Sequence, residues 1–213
     1  MNTYFYIENN DEPLKREKLQ NLFDNSFQKM DTKSLRAHYQ MLRKLEFDSL
    51  LNFVFENVDI SSLVENITLA CDVICAENNT SFIYCGNSTS YIKGNVKLIT
   101  KAVLNLLSNA YIYSRGNLVT VKTLEKQDFV SIEIQSGGNL SPSFNFGDGL
   151  SFVKKVCDSL DGYFFIESAN QYTKAIMMLP KSRVYKESVH TPDIFDFLTD
   201  RLSPIYVEFF GQK

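Results

Sequence analysis

The chain has 213 residues, 44% of them hydrophobic, and a formal net charge of -3 at neutral pH. This length and apolar content suit one domain of roughly 150 residues with an extension. The mild charge gives no electrostatic reason to expect binding to nucleic acid or to an anionic membrane. No apolar run reaches the roughly 18 to 20 residues of a membrane span, so we expect a cytoplasmic protein without one.

Residues 1–57 predict a helical hairpin that serves for dimerisation. Apolar residues recur near the helical period over 13–30 and again over 33–57. Between them, Asp31 and Thr32 offer a turn and an N-cap. Two such amphipathic helices cannot bury both apolar stripes alone, so they must pack on the rest of the chain or on a second copy. We expect a homodimer.

Residues 58–180 alternate helices and strands. Ser61 is placed to cap a helix that runs to about Ala76, with Glu65 near the position that closes a capping box. The further elements are predicted in chain order as strands at 81–85 and 91–93, a helix at 96–113, strands at 118–124 and 129–135, a helix from about 149, and strands at 163–167 and 174–179. This order predicts an α+β fold, a two-layer α/β sandwich whose antiparallel-rich sheet is covered on one face by helices.

Residues 181–213 form a C-terminal tail. Its first part, 182–190, has the composition of a linker, and residues 192–202 predict a short helix. The end, 205–210, is apolar and strand-like. Because such an end would be prone to aggregation if exposed, it must dock, either on the domain's own surface or on a partner subunit.

The four cysteines, Cys71, Cys75, Cys85 and Cys157, lie in apolar, periodic segments without histidines at metal-ligand spacing. Free cysteine packs as a small hydrophobic residue. We therefore interpret them as buried free thiols.

Two short motifs are the most informative part of the sequence. In the segment Leu104-Asn105-Leu106-Leu107-Ser108-Asn109-Ala110, the two asparagines lie one helical turn apart on the same face. Further along, Phe146-Gly147-Asp148-Gly149-Leu150 introduces the next predicted helix. Taken singly, each motif has a plain structural explanation, a capping or bridging asparagine pair and a tight turn before a helix.

With their order and spacing over residues 58–180, these motifs resemble the ATP-binding domain of sensor histidine kinases, the GHKL or histidine-kinase-like ATPase family (Bergerat type). The resemblance implies that segment 104–114 is the N-box and that Asn109 binds Mg²⁺ through the nucleotide, a role for a hard oxygen ligand. The other implied nucleotide-binding residues are Asn105 near Mg²⁺ and phosphate, Ser136 and Gly138 near adenine, and Gly147, Gly149 and Leu150 near the phosphates.

Several family positions carry unsuitable residues, which predicts a degenerate ATP site. Ile112 stands where a basic residue usually meets phosphate, and Ser136 where an aspartate accepts a hydrogen bond from adenine. Losing a charge-assisted hydrogen bond typically costs about 1 to 2 kcal/mol. Only residues 141–145 stand where the family has a long lid, and Asp148 would repel phosphates.

A histidine kinase also needs a phosphoacceptor, and the chain has two histidines, His38 and His190. His38 lies too close to residue 58 for the family's pattern and on the apolar stripe of the second helix, between Leu35 and Leu42. It is therefore a weak candidate, more simply a packed histidine. His190 belongs to the turn before the tail helix.

Three functions stay open at this stage. The leading hypothesis is a two-component-type signalling protein with weak or absent ATP binding, which acts through contacts with a response regulator or another signalling protein. The second is an active histidine autokinase or ATPase that uses ATP and Mg²⁺. The third is an ATP-independent phosphotransfer protein that uses the hairpin, for which His38 would have to be exposed.

Overall fold

The structure is a computed structural model that describes residues 55–76, 79–86, 89–114, 118–138, 147–169, 171–183, 191–200 and 203–210. Its elements in chain order are β1 (Glu56–Asp59), α1 (Ile60–Cys75), β2 (Ser81–Tyr84), β3 (Tyr91–Gly94), α2 (Val96–Tyr113), β4 (Leu118–Glu125), β5 (Phe129–Gly137), α3 (Asp148–Ser159), β6 (Tyr163–Ala169), β7 (Tyr172–Pro180), α4 (Ile194–Thr199) and α5 (Pro204–Phe210). The predicted order of helices and strands is confirmed throughout the sandwich.

The strands of the described residues form a five-stranded sheet in the order β2-β4-β5-β7-β6 and a two-stranded ribbon, β1-β3. The β2–β4 pair is parallel, and the other neighbours in the large sheet are antiparallel. The ribbon joins the end of β7 through a bridge between Ile92 and Lys181. The sheet is therefore antiparallel-rich, as predicted.

One face of the sheet is covered by α1, α2 and α3, and the core lies between the two layers. Alternate residues of β5, Val130, Ile132 and Ile134, are buried on that face. Because side chains alternate along a strand, the residues between them lie on the opposite, open face. This arrangement confirms the expected two-layer α+β sandwich.

Helix α1 begins earlier than the sequence suggests, and the Ser61 capping box is wrong. The N-cap is Asp59, whose carboxylate accepts hydrogen bonds from the Ser62 amide at 3.0 Å and the Ser62 hydroxyl at 2.8 Å. Ser61 is already helical and buried. The β1–β3 pairing ends at Asp59, so the chain turns into the helix there.

The hairpin lies mostly outside the described residues. Its second helix was predicted to run to about Asn57, but Glu56–Asp59 form strand β1, which pairs with β3. The helical prediction is therefore wrong for its last three residues, 55–57. The apolar period alone could not show that the strand containing Val58 begins as early as Glu56.

The tail packs on the domain's own helices, which decides between the two docking surfaces left open above. Helix α4 contacts α1, and α5 contacts both α1 and α2. The strand-like end predicted for 205–210 is wrong, since these residues form helix α5, with Pro204 in its first turn. Ile205, Tyr206 and Phe209 are buried at helical spacing.

Within the described ranges, no helix combines the length and the hydropathy that crossing a membrane requires.

Candidate functional site

Helix α2 carries the two asparagines of the predicted N-box. Its N-cap is Asn95, whose side-chain oxygen accepts a hydrogen bond from the Leu98 amide at 3.1 Å. Ten residues after this cap, Asn105 is only 3% exposed, whereas Asn109 is half-buried. The two asparagines therefore differ in access, and Asn109 is the one that solvent reaches more easily.

Asn105 packs between its own helix and the start of α3. Its side-chain amide donates a hydrogen bond to the Lys101 carbonyl at 2.9 Å. A methyl group added at Gly149 would lie 2.5 Å from the Asn105 side-chain oxygen. A larger residue here would require the Asn105 side chain or one of the two helices to shift. The structure thus brings together two predicted site residues, Asn105 and Gly149, and gives the glycine a packing role.

At the start of α3, Gly147 is exposed and Leu150 is buried. Gly147 is the N-cap, makes no side-chain hydrogen bond, and would accept a methyl group with no atom within 4 Å. Asp148 follows it, exposed, in the first turn, where a carboxylate interacts favourably with the helix dipole. Leu150 is buried and belongs to the core. The site roles implied for Gly147 and Leu150 stay predictions.

The end of β5 carries the two residues assigned to adenine. Ser136 is buried on the helix-covered face, opposite Val119 of β4 and Thr173 of β7. Gly138 has a positive φ of 106°, a conformation that favours glycine. Its amide donates to the Gln171 carbonyl, and its carbonyl accepts from the Thr173 hydroxyl, both at 2.8 Å. Gly138 therefore continues the pairing of β5 with β7 by one residue.

The positive charge near Asn105 comes from a residue that the motif analysis missed. Lys101 Nζ lies 5.5 Å from the centre of the Phe152 ring, a cation–π contact between α2 and α3. Ile112, at the position expected to be basic, is 40% exposed and uncharged. The available signal was the spacing, because Lys101 precedes Asn105 by one helical turn.

The sequence analysis also missed a contact between the tail and α2. The Ser108 hydroxyl, next to Asn109, lies 3.2 Å from Glu208 Oε1 and 3.3 Å from the Asn105 carbonyl. Glu208 is 3% exposed, and no motif in the sequence pairs it with Ser108. The tail therefore touches the same helix that carries the candidate site.

Two of the thiols, those of Cys71 and Cys157, are poor nucleophiles. Burial raises the pKa of Cys157 to about 12 and raises the pKa of Cys71 well above its usual value. Cys75 is also buried, and Cys85 is half-buried, and each of the four is a free cysteine. In the described part of the chain, no three His, Cys, Asp or Glu side chains are grouped as a metal site would need.

Some predicted features lie outside the described residues, namely His38, His190 and the short segment 141–145.

Magnesium and ATP fit the described donor set only in part. Asn109 offers a hard oxygen to Mg²⁺ from a half-buried position. Against this, Asn105 is held by Lys101 and Gly149, and Ser136 offers adenine a neutral group. Asp148 places a carboxylate at the helix start that would meet the phosphates. The set is therefore incomplete for Mg-ATP.

No protein-family model matches the sequence, and no curated protein matches it. Among solved structures, the nucleotide-free catalytic domain of histidine kinase ThkA is similar with a TM-score of 0.55 and 19% identity, over 61% of this chain and 98% of that chain. The ATP-binding domain of PrrB from Mycobacterium tuberculosis is similar with a TM-score of 0.53 and 21% identity, over 60% and 98%. ThkA in complex with response regulator protein TrrA gives 0.59 and 16%, over 80% and 60%.

These low identities establish a likeness of fold. The described domain has the α+β fold of histidine kinase ATP-binding domains.

Proposed function

We propose that this chain is a histidine-kinase-like protein of two-component-type signalling that binds ATP weakly or not at all and acts through protein contacts. The fold is similar to that of sensor kinase ATP-binding domains. The side chains at the predicted nucleotide site are poorly suited to bind ATP tightly. We therefore expect a role in signalling with little or no catalysis by this chain.

The observation that carries the proposal is the contact between Asn105 and Gly149. Asn105 is 3% exposed, its amide is bonded to Lys101, and its oxygen lies against the glycine of α3. A nucleotide that used Asn105 would have to separate α2 from α3 first. Binding energy spent on that separation would not appear as affinity.

The charges around α2 and α3 support the same conclusion. The exposed Asp148 carboxylate stands at the start of α3, and the exposed Ile112 side chain gives α2 no cation there. Ser136 supplies adenine with a neutral partner, which forms a weaker hydrogen bond than a carboxylate. Each of these features lowers the expected affinity for ATP.

The proposed partners are a second copy of the chain, through residues 1–57, and a response regulator or another signalling protein. The solved complex of ThkA with a response regulator supports this class of partner by analogy of fold. A cytoplasmic location belongs to the same proposal.

Calorimetric titration with Mg-ATP and a non-hydrolysable analogue tests the proposal, with Asn109→Ala measured alongside the unmodified chain. We expect no heat of binding up to about millimolar nucleotide. A dissociation constant of that size corresponds to a binding free energy of only roughly 4 kcal/mol. Micromolar binding that Asn109→Ala abolishes would contradict the proposal.

A reconstitution variant sharpens this experiment. Ser136→Asp together with Ile112→Lys returns the two lost charged groups, and we expect it to raise ATP affinity by about 5 to 30 fold, the equivalent of about 1 to 2 kcal/mol. Ser136→Asp with Tyr113→Lys is the matched control, because Tyr113 is the neighbouring exposed residue, at 74%. Equal affinities of the two double variants would mean that residue 112 does not face phosphate.

An active kinase or ATPase is the second candidate, favoured by Lys101. Its ammonium lies beside Phe152 of α3, one helical turn from Asn105, and so brings a cation to the contact between α2 and α3. If Lys101 serves phosphate, Lys101→Gln will abolish whatever ATP binding the unmodified chain has.

A further inference from the structure

The open face of the large sheet carries an apolar patch at one end, here called the aromatic corner: Leu124, Phe129, Tyr163, Phe165 and Met178. Strand register places these residues together. Leu124 pairs with Ser131, Ser131 with Met178, and Met178 with Tyr163, so one row crosses four strands. Directly paired residues share a face, and this row lies opposite the helix layer.

The aromatic corner is organised but exposed. The Tyr163 ring centre lies 5.7 Å from that of Phe129 and 6.2 Å from that of Phe165, with which it stacks. Tyr163 is 53% exposed, Phe165 47% and Leu124 39%. A contiguous group of large apolar side chains in solvent is typical of a surface that another segment covers.

The chain enters the domain at the same end of the sheet. Glu56, the first residue of β1, pairs with Gly94 of β3. A methyl group at Gly94 would lie 3.4 Å from Leu160, which closes α3 just before β6. The same ribbon meets the end of β7 at Lys181, beside the pair of Phe129 with Pro180.

The residues just before that entry point are strongly apolar. Residues 45–54 read Leu-Glu-Phe-Asp-Ser-Leu-Leu-Asn-Phe-Val, and Phe55 after them is 43% exposed. This stretch ends directly before Phe55, so it is tethered within a few residues of the domain. A short tether gives an effective concentration on the order of millimolar, which favours docking on the same chain over capture of another molecule.

We propose that residues 45–54 of the same chain dock on the aromatic corner. The contact buries Tyr163 and Phe165 under the last apolar side chains before β1. It fixes the direction in which the hairpin leaves the domain, and it leaves the apolar stripes of residues 13–44 for pairing with a second copy. The inference does not depend on whether ATP binds.

Photocrosslinking of the full chain tests the contact. p-Benzoylphenylalanine replaces Tyr163 in one sample and Phe195, an aromatic residue of α4 that is 43% exposed, in the control. Each is irradiated as a mixture of ¹⁵N-labelled and unlabelled protein, and crosslinked peptides are identified by mass spectrometry. We expect residue 163 to crosslink to 45–54 of its own chain at least about fivefold more than residue 195 does.

Other outcomes overturn the proposal. Crosslinks from residue 163 that join labelled with unlabelled chains as often as random pairing in the mixture allows would assign the corner to a second copy. Crosslinks that avoid 45–54, or equal yields from residues 163 and 195, would leave the corner uncovered by this segment.

Hydrogen exchange gives an independent measurement. Phe165→Ser should speed amide exchange of residues 45–54 by at least about tenfold, whereas Phe195→Ser should leave it unchanged. Both positions are exposed, so both variants should fold, which circular dichroism checks. Unchanged exchange in Phe165→Ser overturns the proposal.

Discussion

The Ser108 hydroxyl donates a hydrogen bond to Glu208 Oε1 across 3.2 Å, which joins α2 to the last helix of the tail. Both side chains are almost fully buried, at 1% and 3% exposure. The residue after Ser108 is Asn109, the predicted Mg²⁺ ligand. The tail is therefore part of the domain's core, and its docking bears on the position of α2.

Removing this donor should weaken the domain. Ser108→Ala withdraws one hydrogen bond from a buried carboxylate, and we expect it to lower the free energy of unfolding by about 1 to 3 kcal/mol. Denaturant unfolding of the full chain measures the change. Ser81→Ala, at the exposed start of β2, is the control and should stay within about 0.5 kcal/mol of the unmodified chain. Equal values for the two variants would contradict the assigned role of Ser108.

The tail should also contribute through its aromatic packing. Phe209 is 6% exposed, and its ring centre lies 6.2 Å from that of Phe82 and 5.8 Å from that of Tyr111. We expect Phe209→Ala to cost about 3 to 5 kcal/mol, because it opens a cavity between α5, α2 and β2. Phe195→Ala removes a half-exposed ring from the same tail, and its cost should be clearly smaller. If the two costs match, α5 does not pack as described.

The tail also shows where sequence patterns stop being sufficient. Helix α2 was predicted with its observed bounds, since its apolar period is strong and Asn95 caps it. In contrast, Ile205, Tyr206 and Val207 have strand propensity, yet they lie in a helix because the surface that buries them is helical. Packing against distant residues overrides local propensity, and no local pattern records it.

The candidate site, too, could be predicted from the sequence only in part. The motifs identified Asn105 and Gly149, but the sequence could not show that these two residues contact each other across α2 and α3. Lys101 escaped notice because its relevance depends on Phe152, which comes from another helix. The nucleotide roles of Ser136 and Gly138 remain predictions from the resemblance.

Alkaline pH should destabilise the fold through Cys157. Burial raises its pKa to about 12 in the folded chain, whereas an unfolded thiol titrates near about 8.5. The stabilisation is therefore complete below about pH 8.5 and is lost as pH rises towards about 12, by up to about 1.4 kcal/mol per pH unit.

Comparing variants isolates this contribution. The free energy of unfolding of Cys157→Ala should fall less steeply with pH above about 8.5 than that of the unmodified chain. Val156→Ala, at a buried neighbouring position without a titrating group, should keep the unmodified slope. A slope unaffected by Cys157→Ala would rule out this thiol as the titrating group.

His38 should not carry phosphate. Its place on the apolar stripe of the hairpin favours a packed side chain, so we expect no acid-labile phosphorylation of the full chain by a small phosphoramidate donor. His38→Gln should behave identically, with His190→Gln as the control. Phosphorylation that disappears in His38→Gln alone, with the fold intact, would instead support the ATP-independent phosphotransfer function.

The close approach of α3 to α2 at Gly149 should make that glycine irreplaceable. Gly149→Ala puts a methyl group 2.5 Å from the Asn105 side-chain oxygen, so the buried Asn105 side chain or a helix must shift, at a typical cost of about 1 to 3 kcal/mol. Gly147→Ser is the matched control, since nothing lies within 4 Å of a new Cβ there and serine supplies the N-cap hydrogen bond that α3 lacks. It should be neutral or stabilising.

If the Asn105 contact is the cause, adding Asn105→Ala to Gly149→Ala should cost less than the two single changes together, as a double-mutant cycle measures. Additive costs would place the strain of Gly149→Ala elsewhere and would remove the main support for a blocked nucleotide site.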